Sequence, residues 1–266
     1  RMTSTVTPIT SRDNALLVKL RRVAADGAAV RKLGCVWLEG DHLCRAALAR
    51  GVPVPQALVS EAGWADPALR ALAQAAARVA VVPEALWRGV STLPSPAAIG
   101  YLLDLPEAVE IEPRVATVVL DRLQDAGNVG SILRSAAAFG VRQVVALKGT
   151  VALWSPKVLR AGMGAHFALH LVEGQAPDAL EALAVPLLAT SSHASTLLHE
   201  AALPAPAAWV FGHEGQGIAD ALQQRCAMTL AIPQPGGEES LNVAAAAAVC
   251  LYQQAISGSI SRKRRA

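Results

Sequence analysis

The chain has 266 residues, 53% of them hydrophobic and 17% charged, with a net charge of +3. That length allows one large domain or two ordinary ones, and the composition excludes a disordered chain. The longest apolar run, Val243 to Tyr252, is about half of what a bilayer-spanning helix needs, so no membrane anchor is expected. No signal peptide is read, and Arg1 ahead of Met2 is set aside as a processing remnant. Cys35, Cys44, Cys226 and Cys250 form no C-x-x-C pair and no cysteine–histidine cluster. Reduced thiols in a cytoplasmic protein without a zinc site are therefore expected. Basic residues gather at Arg12, Lys19, Arg21, Arg22, Arg31 and Lys32 and in the tail Arg262–Arg265. Such clustering suits a phosphate-rich partner, although solvated helix faces produce the same pattern.

Along the chain, Ser11 is a candidate N-cap for a helix from Asp13 to about Ala25. The strand Gly34–Glu39 follows, then a helix from about His42 to Ala49 closed by Gly51. A second strand, Ala57–Ser60, precedes a helix over Pro67–Ala77. The strand Arg78–Val82 comes next, and Pro83 opens another short helix. Leu105–Pro113 carries proline near both ends and charges between, the signature of a linker. The expected division is a domain over 1–108, a second over 112–258 and a basic tail over 259–266. Beyond the linker, apolar strands alternate with helices: Val115–Leu120, Gln143–Leu147, Val185–Thr190, Ala207–Gly212 and Met228–Ile232. Runs apolar on both faces imply an α/β fold with a buried, mostly parallel sheet. Such sheets bind ligands outside the carboxyl ends of their strands.

Three polar, glycine-rich loops occupy that end. In the first, Asn128 reads as the N-cap of a helix over Val129–Phe139, and Arg134 shares a face with Ser131 and Ala138. Its guanidinium could pair with a surface carboxylate or present five donors to a phosphate. In the second, Gly212, Gly215 and Gly217 allow close backbone approach. Glu214 among them could bind a ribose hydroxyl, orient a base or cap the next helix. In the third, Ser240 and Asn242 can each cap the helix that follows. Leu241 lies between them, where a cap needs nothing apolar, and fits either a flat hydrophobic ligand or plain packing. Lys157 and Arg160, three apart after Ser155-Pro156, suit an exposed face or contact with RNA phosphates. The glycine spacing is not a dinucleotide fingerprint, which argues against an oxidoreductase, and neither a Walker A lysine nor a G-x-S-x-G elbow is present.

Taken together, the loops resemble the three motifs of the SpoU (TrmH) family of RNA ribose 2′-O-methyltransferases, within the SPOUT class. Asn128-Val-Gly-x-x-x-Arg134-x-Ala-x-x-Phe-Gly140 is similar to the first motif, and Gly212-x-Glu-x-x-Gly217 to the second. Ile232-Pro-x-x-Gly-x-x-x-Ser240-Leu-Asn-Val-x-x-Ala246, ending in Leu251-Tyr252, is similar to the third. The resemblance covers about residues 112–257, and none of these positions departs from the motifs. A looser one, on Ile9–Asn14 and Leu38-Glu-Gly40, likens the N-terminal region to an L30e-like RNA substrate-binding domain. The resemblance implies a trefoil-knotted domain, a homodimer, S-adenosylmethionine as cofactor, no metal, and RNA as substrate, with ribosomal RNA preferred over transfer RNA. It implies catalytic roles for Arg134, Asn128, Glu214, Ser240 and Asn242. Cofactor contacts are implied at Gly212, Gly217, Ile232 and Leu241, with Thr190 as a further neighbour. Arg12, Arg21, Arg22, Lys157 and Arg160 are the expected RNA contacts. A non-catalytic RNA-binding or ribosome-assembly protein of the same fold is the alternative.

Overall fold

The computed structural model describes residues 4–263 apart from 92, 94, 238 and 239, with side chains described up to residue 257. It divides into two compact units. One holds the chain up to Glu107 together with Trp154–Phe167; the other holds Ala108–Leu153 and the chain from Ala168 onward.

The first unit contains β1 (Thr5–Pro8), α1 (Ala15–Ala25), α2 (Gly27–Leu33), β2 (Cys35–Glu39), α3 (Asp41–Ala49), β3 (Gln56–Ser60), α4 (Glu61–Ala65), α5 (Pro67–Ala73), β4 (Arg78–Val82), α6 (Glu84–Trp87) and β5 (Ile99–Asp104). Its sheet has the order β1-β4-β3-β5-β2. β1, β4 and β3 are parallel, whereas β5 runs antiparallel to β3 and β2. The sequence pattern did not anticipate β5, which carries a glycine at its second position. Gly100 is there because Trp37 lies against it: a Cβ would fall 2.2 Å from the indole. α1 starts at Ala15, capped by Asn14, whose Oδ1 accepts from the Leu16 N–H at 2.9 Å. Ser11, the expected cap, instead accepts from the Asp13 N–H in the turn before it. α5 ends at Ala73, short of Ala77, as the next residues close tighter turns that lead into β4. An alanine run carries no stop signal of its own.

The remaining elements are β6 (Thr117–Asp121), α7 (Ala126–Ala138), β7 (Gln143–Leu147), α8 (Pro156–Gly162), β8 (His170–Gln175), β9 (Leu187–Thr190), β10 (Ala208–Gly212), α9 (Asp220–Gln223), β11 (Met228–Leu230) and α10 (Val243–Lys263). α8 departs from the expected division, because it packs on β2 and α1 in the first unit. The other elements form a six-stranded sheet of order β11-β9-β10-β6-β7-β8, parallel throughout. Every residue of β6 and β7 is buried, so these strands read as near-continuous apolar runs with polar residues only at their ends. One part of the core joins Val119, Val145, Leu187, Val210 and Leu222. Burying each such side chain stabilises the fold by about 1.5–3 kcal/mol. The buried polar group at the amino edge is satisfied. Gln143 donates to Thr117 Oγ1 and the Glu112 carbonyl and accepts from the Glu112 N–H at 2.7 Å. α10 lies against α7, with Phe139 and Tyr252 edge-to-face at 5.9 Å. It runs to Lys263, so residues 259–263 of the expected tail are helical, and 264–266 lie outside the described residues.

Candidate active site

Parallel register fixes where the loops begin. Gly212 at the end of β10 pairs with Asp121 at the end of β6, and Leu230 of β11 pairs with Thr190 of β9. Four strand ends therefore share one edge, and all three polar loops leave from it.

Asn128 joins the three loops. α7 begins at Ala126, not Val129, and its cap is Asp125, whose Oδ1 accepts from the Asn128 N–H at 2.7 Å. The expected capping role of Asn128 is thus taken by Asp125, which frees the Asn128 amide. It donates from Nδ2 to Glu214 Oε1 at 3.2 Å and accepts at Oδ1 from Asn242 Nδ2 at 2.9 Å. Asn242 sets the direction of this chain. Its Oδ1 caps α10 by accepting from the N–H groups of Ala244 and Ala245, so only its amide nitrogen is left to face Asn128. Glu214 does not cap α9, which follows Ala219. It reaches back to the first loop and accepts from the N–H groups of Gln124 and Asp125. Burial raises its pKa, but hydrogen bonds from its own N–H, the Asn128 amide and the Asp125 and Gln124 N–H groups outweigh burial and hold it below the ordinary value.

The second loop is a closed turn. A Cβ on Gly212 would lie 2.2 Å from the Gly217 carbonyl carbon, so only glycine fits there. Gly217, at φ +67°, donates to the His213 carbonyl. His213 Nδ1 accepts from the N–H groups of Gly215 and Gln216, which leaves its ring proton on Nε2.

Asp121 and Arg122, absent from the sequence reading, sit beside this turn. Asp121 is buried, and Arg122 has φ +61°, a conformation that costs a non-glycine residue about 1–3 kcal/mol. A tell-tale was available: a buried strand ending in Asp-Arg needs a partner for the carboxylate.

Three expected site residues stand apart from the bonded chain. Arg134 is exposed on α7 with Ser131 and Ala138, and its guanidinium makes no hydrogen bond or ion pair among the described residues. Ser240 is exposed and likewise unbonded. Leu241 is 40% exposed, so packing does not explain it. Ile232 and Thr190 are half-buried beyond and at the ends of β11 and β9. Glu238 and Glu239, inside the third motif, lie outside the described residues.

The expected RNA contacts all fall in the first unit, since Lys157 and Arg160 are on α8. Arg12, Arg22 and Lys157 are exposed, and Arg160 is half-buried. Arg21 is also half-buried and donates to the Arg12 carbonyl at 2.9 Å. Arg21, Arg22 and Lys32 line a groove of about 490 Å³ whose floor is Ala25, Ala28 and Ala29, with Asp26 as its one carboxylate.

The loop cluster suits a small ligand with an apolar ring and polar arms. Gln234 Oε1, after β11, is a buried acceptor without a partner, and Leu241 presents uncovered apolar surface in the same loop. Among the described residues, no group of three or more His, Cys, Asp or Glu side chains gathers as metal ligands. No helix among them is long and apolar enough to cross a membrane.

A parallel sheet with these three motif loops at its carboxyl edge matches the SPOUT-class methyltransferases, and comparison with known proteins agrees. Residues 116–252 match the SpoU rRNA Methylase family. The chain is 35% identical to an uncharacterized tRNA/rRNA methyltransferase of Synechocystis, over 95% of this chain and 94% of that one. It is 29% identical to the Bacillus subtilis 23S rRNA (guanosine(2553)-2′-O)-methyltransferase RlmP, over 83% and 88% of the two chains. Among solved structures, an RNA 2′-O ribose methyltransferase superposes with a TM-score of 0.79 at 31% identity, covering 96% of this chain and 100% of that one. The chain belongs to the SpoU methyltransferase family, and it is accordingly an S-adenosylmethionine-dependent RNA methyltransferase.

Proposed function

We propose that the chain methylates a ribose 2′-hydroxyl of RNA, with ribosomal RNA preferred over transfer RNA. The hydrogen-bonded series Glu214–Asn128–Asn242 carries this reading, because it ties all three motif loops into one site. S-adenosylmethionine, when bound, supplies an electrophilic methyl sulfonium, so the task of the protein is alignment. Gly212, Gly217, Ile232 and Leu241, with Thr190 on the neighbouring strand, are the residues that would hold it. Asn128, Glu214, Ser240 and Asn242 shape the space for the ribose. Arg134, unbonded on the open face of α7, binds the phosphate beside the target ribose and stabilises the developing alkoxide. A guanidinium, which holds its proton firmly, is a poor base.

Arg12, Arg21, Arg22, Lys157 and Arg160 form the RNA-binding face of the first unit, which we read as L30e-like. The loop region is read as trefoil-knotted and the enzyme as a cytoplasmic homodimer. Uncovered apolar side chains on α10, Val249 and Tyr252, support a second copy as partner. The preference for ribosomal RNA draws support from relatives named for 23S rRNA.

The test is transfer of labelled methyl from S-adenosylmethionine into unmodified ribosomal and transfer RNA, with the product mapped by resistance to alkaline cleavage. Incorporation at one resistant linkage in ribosomal RNA is expected. Incorporation only into transfer RNA would overturn the substrate preference. Incorporation at alkali-sensitive positions would overturn the ribose assignment.

A further inference from the structure

Arg122 bonds across to the second loop with its side chain, although none of the three motifs contains it. Its Nε and Nη2 grip Asp121 Oδ1 and Oδ2 at 3.0 and 3.1 Å, a two-pronged pairing on its own neighbour. The same guanidinium reaches across to the second loop, from Nη1 to Gln216 Oε1 at 3.0 Å and from Nη2 to the Gly217 carbonyl at 3.3 Å. Asp121 Oδ2 adds a bond from the Ala219 N–H at 2.8 Å, so the pair holds both ends of segment 216–219. The backbone beneath is braced as well. The Arg122 N–H donates to Thr150 Oγ1, and that hydroxyl donates to the Leu120 carbonyl. Gly149 lies so close that its missing Cβ makes room for the arginine stem at 3.1 Å. A left-handed backbone at an arginine, held from three sides, is strain kept in place by its surroundings.

We infer that Arg122 is a positioning residue for methyl transfer. It clamps the 213–219 turn onto the end of β6 and so fixes Glu214 against Asn128 and Gly217 against Gly212. The inference rests on the reading above, in which that turn forms a wall of the cofactor site. Arg122 itself touches neither cofactor nor substrate. Its planar fork is essential, because one ammonium cannot grip a carboxylate at two points and reach two further oxygens. Lysine would preserve the charge but lose the clamp.

The test compares Arg122→Lys, Arg122→Gly and Gln216→Ala with the wild type. Calorimetric binding of S-adenosylmethionine is measured alongside amide hydrogen exchange of the ligand-free proteins. Arg122→Gly also relieves the left-handed strain, and Gln216→Ala leaves the Asp121 pair intact, so a folded protein is available whichever contact matters most. Both Arg122 variants are expected to bind the cofactor about tenfold more weakly, as for loss of a supporting partner of a ligand site. Exchange at the Gly217 and Ala219 amides is expected to accelerate while strands β6 and β10 keep their protection. Gln216→Ala is expected to weaken binding by about threefold. Unchanged affinity with unchanged exchange at Ala219 in a folded Arg122→Lys protein would overturn the clamp. Full rescue of affinity by lysine would show that charge alone suffices and overturn the geometric argument. If the wild type did not bind S-adenosylmethionine, the cofactor reading would fail, while the exchange measurement would still decide whether Arg122 holds the turn.

Discussion

Replacing Asn128 by alanine separates architecture from chemistry at this site. The side chain makes two surface hydrogen bonds, at 3.2 Å to Glu214 and 2.9 Å to Asn242. Exposed bonds contribute at the low end of the usual range, about 0.5–1 kcal/mol each. Alanine returns about 0.5–0.7 kcal/mol as a better helix former in the first turn of α7. The net loss is about 0.3–1.5 kcal/mol, which for a chain of this size lowers Tm by only a few degrees, roughly 2–4 °C per kcal/mol. The effect on catalysis is much larger. Without the amide, nothing in the series joins Glu214 to Asn242, and a displacement of about 1 Å in an aligned site costs about 100-fold in rate. We therefore expect kcat/KM for methyl transfer to fall about 100-fold, with the melting curve by circular dichroism moved by only a few degrees. Activity within about threefold of wild type in a folded Asn128→Ala protein would refute the reasoning. A loss of more than about 10 °C would assign Asn128 to the scaffold instead.

Three further outcomes follow from the same geometry. Arg134→Ala is expected to abolish transfer while leaving both Tm and cofactor affinity within a few-fold or a degree or two, since the guanidinium has no partner among the described residues; full activity would remove it from the mechanism. Glu214 has a folded pKa depressed below its ordinary value of 4.5, so its stabilising contribution is present above that value and is lost as pH falls through the folded one. Urea midpoints of Glu214→Gln should therefore lie below wild type at pH 7 and converge with it in acid, and a gap that stays constant down to about pH 3 would contradict the assignment. Arg22→Glu is expected to weaken RNA binding and reduce the slope of log K against log salt by about one. Arg22 is preferred to Arg21 because Arg21 also tethers the Arg12 carbonyl; an unchanged slope would move the RNA surface elsewhere.

The second unit was the more legible in sequence because its sheet is buried on both faces. Strands such as Gln143–Leu147 are buried throughout and apolar after their first residue, and their ends needed only small correction. β8 escaped because it is an edge strand, with Val172 buried among half-exposed neighbours and a glycine at position 174. β5 escaped because Gly100 interrupts its pattern, for a reason that lies 63 residues away at Trp37. The site residues themselves were legible as a set, since loops after parallel strands must converge on one edge. Their bonding was not. Asn128 has the sequence context of a cap, and only the structure shows Asp125 in that role. Nor does local pattern reveal that Asp121 and Arg122, adjacent in sequence, secure a turn almost one hundred residues further on.

The site residues differ in how much of their bonding capacity the fold already uses, and that difference sorts their roles. Asp121, Arg122, Asn128, Glu214 and Asn242 are engaged with one another or with backbone before any ligand arrives. Arg134 and Ser240 are exposed and unbonded among the described residues, Leu241 is uncovered, and Gln234 Oε1 is buried without a donor. An alignment enzyme needs both groups. The first must be rigid in advance, because ordering it on binding would cost affinity. The second must be unpaired, because a donor already satisfied within the protein has little to give to a ligand. On the proposed reading, ligand contact is expected at Arg134, Ser240, Leu241 and Gln234, whereas Asn128, Glu214 and Asn242 are expected to act mainly by holding the loops that present them. Saturating S-adenosylmethionine should accordingly change the environment of Leu241 and Gln234 far more than that of Asn128, Glu214 and Asn242. Side-chain amide spectra offer the comparison: a large shift at Gln234 with little change at Asn128 is expected, and the reverse order would invert the assignment.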